Sequence, residues 1–471
     1  MTGQKTRRAR IARRLIGLFT LAALLAAFLW FRPDRALQVA TGVVAATLCS
    51  EVFVSEQEPD QVYTQALLPT PGLKLLARRM HYTVDRAQKE VRADWAGYFA
   101  SRAVDRGSAG CRLVPADAPV PPAPILAPIA TAALLPDIAG PDLVAPADPA
   151  LAAALDHVFA EPEAGPPHWV KAVVVVKDGR VIAERYAPGI GIDTPLLGYS
   201  ASKTTINALV GILVGQGKLK VDAPAPVAGW ADPADPRHAI TLDNLLRMTS
   251  GLAAEESDDG FDPTSRMLYI KPDMAGFAER AGLKRPPGTV WEYASPNTLI
   301  LSRIVKDAVG GTETDVLNFA RHDLFGPLGM RSVVFETNST GTPVGSTNML
   351  ASARDWARLG LLYLNDGVVG GERLFPAGWV AYSRRSTLGT SYGAGLWTND
   401  GPSEDAHDRI AAGMPADGFY ASGRLGQRVY VMPSQQLVIV RLGITQQLGF
   451  GMGGDLRLIR EVIAATAVPH A

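Results

Sequence analysis

The stretch GYSASKTTINALVGILVGQGK (residues 198–218) sets two serines and a lysine at the head of a run whose apolar residues recur at helical spacing. Gly215 and Gly217 close that run, as glycine commonly does just past a helix end. Three chemistries match parts of the stretch. A phosphate-binding loop needs glycine immediately before the lysine, but Ser202 stands there and Leu197 holds the first glycine position. A nucleophile elbow, G-x-S-x-G, needs glycine two residues after the serine, and Ser202 again occupies the place. A Ser-His-Asp enzyme would also need a late histidine, and His407 sits in the polar run SEDAHDR. What remains is S-x-x-K, Ser200 to Lys203. If Ser200 begins the helix, Lys203 lies one turn on, on the same face, with its amine beside the hydroxyl. The helix N-terminus favours negative charge developing on Ser200. A lysine in a dry pocket has a lowered pKa and can act as the base a serine nucleophile needs. A serine that merely caps the helix is the other reading of the same residues.

Strand signals flank this helix at both ends of a long domain. AVVVVKDGRVIAERY (172–186) holds two β-rich runs around Asp178-Gly179, a strong hairpin turn. QRVYVMPSQQLVIVRLG (427–443) is a second hairpin, turning over 432–436. Between and after them lie helical patterns: TLDNLLRMTSGL (241–252), SARDWARLGLLYLNDG (352–367) and DLRLIREVIAATA (455–467). Hairpins imply antiparallel pairing. The expected fold is α+β: an antiparallel sheet flanked by helices, with a helical subdomain inserted in the middle. This domain is expected over 151–471. Before it, PADAPVPPAPILAPIATAALLPDIAGPDLVAPADP (115–149) is dense in Pro and Ala, so residues 115–150 read as a linker or as an extended strap on the next domain. Residues 34–114 read as a small N-terminal module.

The N-terminus opens with KTRRARIARR (5–14), six basic residues, followed by LIGLFTLAALLAAFLWF (15–31) without a charge. That is the pattern of a membrane-targeting helix over 1–33, either an uncleaved signal anchor or a signal peptide. The run is near the short end for a bilayer span, and Trp30, Phe31, Arg32 and Pro33 stand where a small-residue cleavage site would be. The expected location is therefore membrane-anchored, with the catalytic domain in the periplasm or outside the cell; secretion after signal cleavage is the alternative. In an oxidising compartment the two cysteines, Cys49 and Cys111, are expected to form a disulfide. Lys+Arg and Asp+Glu are both 46, so no net basic charge points to nucleic acid. Seven histidines form no short metal-ligand spacing, and two cysteines are too few for a thiolate site. Neither a metal nor an organic cofactor is expected.

Further segments join the S-x-x-K stretch: PPGTVWEYASPNT (286–298), LFGPLGM (324–330), SARDWARLGLLYLNDG and GFYASGRLGQRVYVMP (418–433). In this order and spacing, over roughly 170–445, the chain resembles the serine β-lactamase and penicillin-binding-protein-like superfamily. Within it, the likeness is to the branch of class C β-lactamases, related esterases and 6-aminohexanoate-dimer hydrolase. The resemblance implies a β-lactamase/transpeptidase-like fold and carries roles onto matching residues. Ser200 is the acylated nucleophile, Lys203 its proton acceptor, and Tyr293 a proton shuttle to the leaving group. The second motif, usually Tyr-x-Asn, is Tyr293-Ala294-Ser295, with Asn297 two further on. The third motif, usually Lys or His, then x, then Gly, is Ala421-Ser422-Gly423, followed by Arg424. The oxyanion hole would use the backbone N–H groups of Ser200 and Arg424.

Ala421 departs from the pattern where a cation would steady a substrate carboxylate. Arg424 is open to two readings, a replacement clamp or a solvated loop arginine. The resemblance with this departure implies a serine hydrolase acting through an acyl-enzyme on a small-molecule ester or amide. A true β-lactamase or D-alanyl peptidase, and a catalytically weak or inactive scaffold, are the alternatives. Asp243 and Asp355 read as helix-entry or salt-bridge residues, and Trp291, Trp356 and Trp397 as core or pocket walls.

Overall fold

The computed structural model describes residues 14–16, 19, 32–129, 132–257, 259–446 and 452–467. The expected membrane-targeting run 15–31 therefore lies almost wholly outside the described residues. The three described within it, Leu15, Ile16 and Phe19, are exposed.

The N-terminal module is one helix laid on a four-stranded sheet. Helix α1 (Pro33–Cys49) begins with Pro33 and Asp34 in its first turn, both favoured there. The strands β1 (Met80–Asp85), β2 (Glu90–Trp95), β3 (Tyr98–Asp105) and β4 (Cys111–Val114) form an antiparallel meander in chain order. The alternating HYTVD run gives β1 one buried and one open face. Val44, Leu48, Val91 and Ala103 fill the space between helix and sheet. The helical stretch Pro33–Val54 is long and apolar enough to cross a membrane, yet 67% of its apolar window is buried within the protein. Its apolar face is spent on the module core and on a helix of the larger domain. A disulfide joins Cys49, at the end of α1, to Cys111, at the start of β4.

The described residues of 115–148 run over the larger domain. Leu134 and Leu135 N–H groups donate to the Pro327 carbonyl, at 2.8 and 2.9 Å. Val181 N–H donates to Ile138 O, and Val144 N–H to Glu184 Oε1. The buried Arg354 pairs with Glu184 and donates onward to the Gly140 and Asp142 carbonyls. A free spacer would leave its apolar side chains in water; here Leu135 and Ile138 enter the core.

The larger domain has α2 (Pro149–Phe159), the hairpin β5 (Val170–Lys177) and β6 (Arg180–Tyr186), then α3 (Ser202–Gly215). Helices α4 (Pro263–Ile270), α5 (Ser295–Ala308) and α6 (Ala353–Leu364) belong to the central region. The chain returns through β7 (Trp397–Thr398), β8 (Phe419–Gly423), β9 (Gln427–Met432) and β10 (Leu437–Gly443), and ends its described part in α7 (Met452–Ala467). The sheet order is β7-β8-β9-β10-β5-β6, antiparallel throughout. β10 from the end of the domain lies beside β5 from its start, with Val440 opposite Val174. Asp178 and Gly179, both at positive φ, make the tight turn of the first hairpin.

The unbroken apolar run AVVVV has a simple cause: both faces of the sheet are covered. Val173 and Val175 pack with α2 and α7 through Leu155, Leu458 and Ile459. Val174 and Val176 face the other way, into the core shared with α3 and α6. Helix α3 is buried on all sides, which its nearly uninterrupted small and apolar residues allow. The observed architecture is the α+β one expected, an antiparallel sheet between helical layers with a helical region inserted.

Candidate active site

Ser200 sits in a single 3₁₀ turn, Tyr199–Ala201, that runs straight into α3. Tyr199 has φ +45°, an unusual value for an aromatic residue, so the turn bends sharply just before the serine. Packing holds the turn: the Gly198 N–H donates to Met349 O at 2.9 Å, and the Ala201 N–H to Gly198 O at 3.1 Å. Lys203 follows one turn later, 3% exposed. Its Nζ lies 2.9 Å from Ser200 Oγ, 3.0 Å from Ser295 Oγ and 3.0 Å from the Ser346 carbonyl. The same nitrogen stands 4.8 Å from the centre of the Tyr293 ring. Three polar acceptors and an aromatic face thus surround one buried amine. The arrangement can take a proton from Ser200 without opening to bulk water.

The helix α5 brings the second motif to this point. Ser295 is its first residue, and its N–H donates to the Glu256 carboxylate. A carboxylate at a helix N-terminus complements the helix dipole. Tyr293 just precedes α5 and packs edge-on to Tyr392 at 5.7 Å and beside Trp397 at 5.8 Å. Trp291 completes this aromatic wall, 5.9 Å from Tyr392. Burial pushes the Tyr392 phenol well up, and the neighbouring Tyr293 and Glu256 act in the same direction.

Asn297 is not brought to the lysine. Two residues turn a helix by about 200°, so Ser295 and Asn297 face opposite sides of α5. The Asn297 amide donates instead to Ala294 O at 3.2 Å and contacts Met248 Sδ. Ser295, not Asn297, meets Lys203.

The third-motif strand, β8, runs beside the turn that carries Ser200. Gly423 lies so close to Gly198 that a Cβ on it would be 2.0 Å from the Gly198 carbonyl oxygen. Ala421 is buried opposite Val429, and Ser422 opposite Arg428. Arg424 leaves the strand exposed, with its guanidinium 3.3 Å from Thr70 Oγ1 of the N-terminal module. It also lies near Tyr199, where its charge opposes the strong upward push that burial gives the phenol.

The sequence reading missed several residues of this neighbourhood. Ser346 acts through its carbonyl, which carries no side-chain signal. Glu256 lies in the acidic run EESDD, outside every motif singled out in the sequence. Tyr392 stands far from any motif. His407, weighed for a Ser-His-Asp arrangement, is exposed on a short helix, Glu404–Ala411, where the sequence suggested a polar loop. Ser403 caps that helix, and acidic residues fill its first turn. Asp243 pairs with Arg247 at 2.7 Å, Asp355 with Arg358 at 3.1 Å, and Trp356 is fully buried.

The family model described as beta-lactamase matches residues 171–464. A 6-aminohexanoate-dimer hydrolase from Paenarthrobacter ureafaciens is 25% identical over 224 residues, 44% of this chain. The match spans 55% of that enzyme's length. Two solved structures share the fold, each with a TM-score of 0.55. One is a penicillin-binding-protein homologue from Caulobacter crescentus, 18% identical, covering 70% of this chain and 100% of its own. The other is a family VIII carboxylesterase, 14% identical, covering 69% of this chain and 100% of its own. The family match begins at residue 171, so the N-terminal module lies outside it.

Proposed function

The chain belongs to the beta-lactamase family, and from that premise we propose that it is a serine hydrolase working through an acyl-enzyme on a small ester or amide. The observation that carries this reading is the buried Lys203 amine 2.9 Å from Ser200 Oγ and 4.8 Å from the Tyr293 ring. Ser200 Oγ attacks the substrate carbonyl, and its proton passes to Lys203. The tetrahedral oxyanion rests on the Ser200 and Arg424 N–H groups. On collapse, the alcohol or amine departs with a proton delivered through Tyr293 and Lys203. Water then attacks the acyl group, the same residues take its proton, and the acid leaves. Esters and simple amides are favoured over β-lactams because Ala421 places no cation where a substrate carboxylate would sit.

The basic run 5–14 and the apolar run 15–31 support an anchored protein with this domain outside the cytoplasm; the Cys49–Cys111 disulfide supports the same reading. A periplasm-dependent reporter fused after residue 471 tests it, and a fusion that accumulates without reporter activity would overturn it.

The chemistry is tested by intact-mass measurement after incubation with an activated ester and, separately, a penicillin. A fluorophosphonate should label the protein and the ester should leave an acyl adduct, both lost in Ser200→Ala. Labelling that survives in Ser200→Ala refutes the nucleophile. A stable or turning-over penicilloyl adduct would move the assignment to a β-lactamase or D-alanyl peptidase. No adduct from either compound would move it to a non-catalytic binding module.

A further inference from the structure

The N-terminal module, outside the matched family region, reaches the catalytic lysine through one buried carboxylate. Glu336 is 1% exposed, and its bonded partners are three neutral donors. Two come from the module: Ser50 Oγ at 2.8 Å and the Cys111 N–H at 2.8 Å. These are the residue next to Cys49 and Cys111 itself, so the disulfide fixes the spacing of both donors. The third is Asn348 Nδ2, at 2.7 Å.

Asn348 belongs to the segment that serves the active site. Its carbonyl accepts from the Glu336 N–H at 3.0 Å, and its own N–H donates to Val344 O at 2.9 Å. Between those two points lies Ser346, whose carbonyl receives Lys203 Nζ at 3.0 Å. One residue beyond Asn348, the Met349 N–H donates to Ser202 Oγ, and Met349 O holds the Gly198 N–H of the nucleophile turn. The module comes close to the domain at Gly110. Gly110 has φ +61°, and a Cβ there would fall 2.7 Å from both Glu336 Cγ and Val334 Cγ1. The cavity of about 440 Å³ between module and domain is lined in part by Ser50, Cys111, Glu336 and Asn348. Arg106 and Arg112 of the module also pair with Glu313 of the larger domain, so the module is held in place beside this cluster.

We propose that Glu336 is a positioning residue through which the disulfide-bonded N-terminal module sets the Ser346 carbonyl, and with it Lys203, for attack by Ser200. The module is then a working part of the hydrolase and not an independent binding unit. Once ionised, the carboxylate accepts from all three donors at once, which a neutral amide in its place cannot do. Without the module's two donors the buried charge is left short of partners, and the segment 344–349 relaxes to re-satisfy it. This rests on the reading of Ser200 and Lys203 as nucleophile and base.

The test is a double-mutant cycle in the full-length protein, with kcat and KM for p-nitrophenyl butyrate expressed per site titrated by a fluorophosphonate. Ser50→Ala and Asn348→Ala are each expected to lower kcat about tenfold with KM within twofold. The double variant should fall no further than the worse single, because both act through Glu336. Glu336→Gln, and the Cys49→Ser/Cys111→Ser pair if it folds, should reproduce the same split. A wild-type kcat in Ser50→Ala, or a double variant equal to the product of the singles, overturns the proposal. A purely structural role would lower the number of titratable sites and leave kcat per site unchanged, which also overturns it. Wild-type turnover in Ser200→Ala would remove the underlying active-site reading instead; an inactive Ser200→Ala beside an additive cycle removes only the coupling.

Discussion

Replacing Gly423 by alanine isolates the contact on which the proposed oxyanion hole depends. Gly423 has ordinary extended backbone, φ −123° and ψ 158°, so alanine adds no conformational strain. The whole effect is steric. The new Cβ would stand 2.0 Å from Gly198 O, 3.1 Å from Gly198 C and 3.0 Å from Gln427 Cβ. Ordinary contact begins at 3.4 Å, so strand and turn must part by about 1.4 Å. Neither side gives easily. β8 is paired between β7 and β9, and Gly198 is tied by its N–H to Met349 O. The two N–H groups assigned to the oxyanion follow this contact directly, Ser200 two residues after Gly198 and Arg424 one after Gly423. Oxyanion donors work at about 2.7–3.1 Å, and losing one costs about 10²–10³ in kcat. Overpacking of this kind also costs about 1–3 kcal/mol of stability. The assay is hydrolysis of p-nitrophenyl butyrate per titrated site, with thermal unfolding alongside. Gly282→Ala, where a Cβ meets nothing within 4 Å, is the control and should match wild type. A Gly423→Ala protein with kcat within threefold of wild type and unchanged unfolding would refute both the close approach and the oxyanion assignment.

Three further outcomes are expected. Lys203→Met should fold, since its methylene stem already packs in a buried site, but lose about 10²–10⁴ in the rate of fluorophosphonate labelling; labelling at the wild-type rate would remove lysine from the proton path. Glu51→Ala should cost about 3–5 kcal/mol in urea unfolding, because it leaves the buried Lys171, 3.8 Å away, without its counter-charge; a cost under 1 kcal/mol would show that the Gln57 bond to Lys171 suffices. Burial pushes the Glu336 carboxyl up to about 7 from its ordinary 4.5, with the Asp105 charge adding to the rise and the Asn348, Cys111 and Ser50 donors opposing it. The folded state thus holds this proton more tightly than the unfolded chain. The stabilisation is fully present below pH 4.5 and is lost as pH rises through 7, about 3 kcal/mol in all. The difference in unfolding free energy between wild type and Glu336→Gln, measured from pH 4 to 8, should follow that curve, and a flat difference would contradict it.

What the sequence determined is what local geometry determines. Ser200 and Lys203 are three residues apart on one helix, so their meeting follows from the pitch of the helix. The two hairpins follow from Asp178-Gly179 and from the turn over 433–436, and their unbroken apolar runs imply a sheet covered on both faces. Tertiary structure decided the rest of the site, because its partners lie far along the chain. Ser295 and Ser346 reach Lys203 across 92 and 143 residues, and periodicity carries no record of such distances. The choice of Ser295 over Asn297 depended on how α5 is rotated about its axis. The link from Cys111 to Glu336 spans 225 residues and joins a module to a domain. Composition could mark both as apolar and packed. Only the assembled fold could place a buried carboxylate between a disulfide and the segment that holds Lys203.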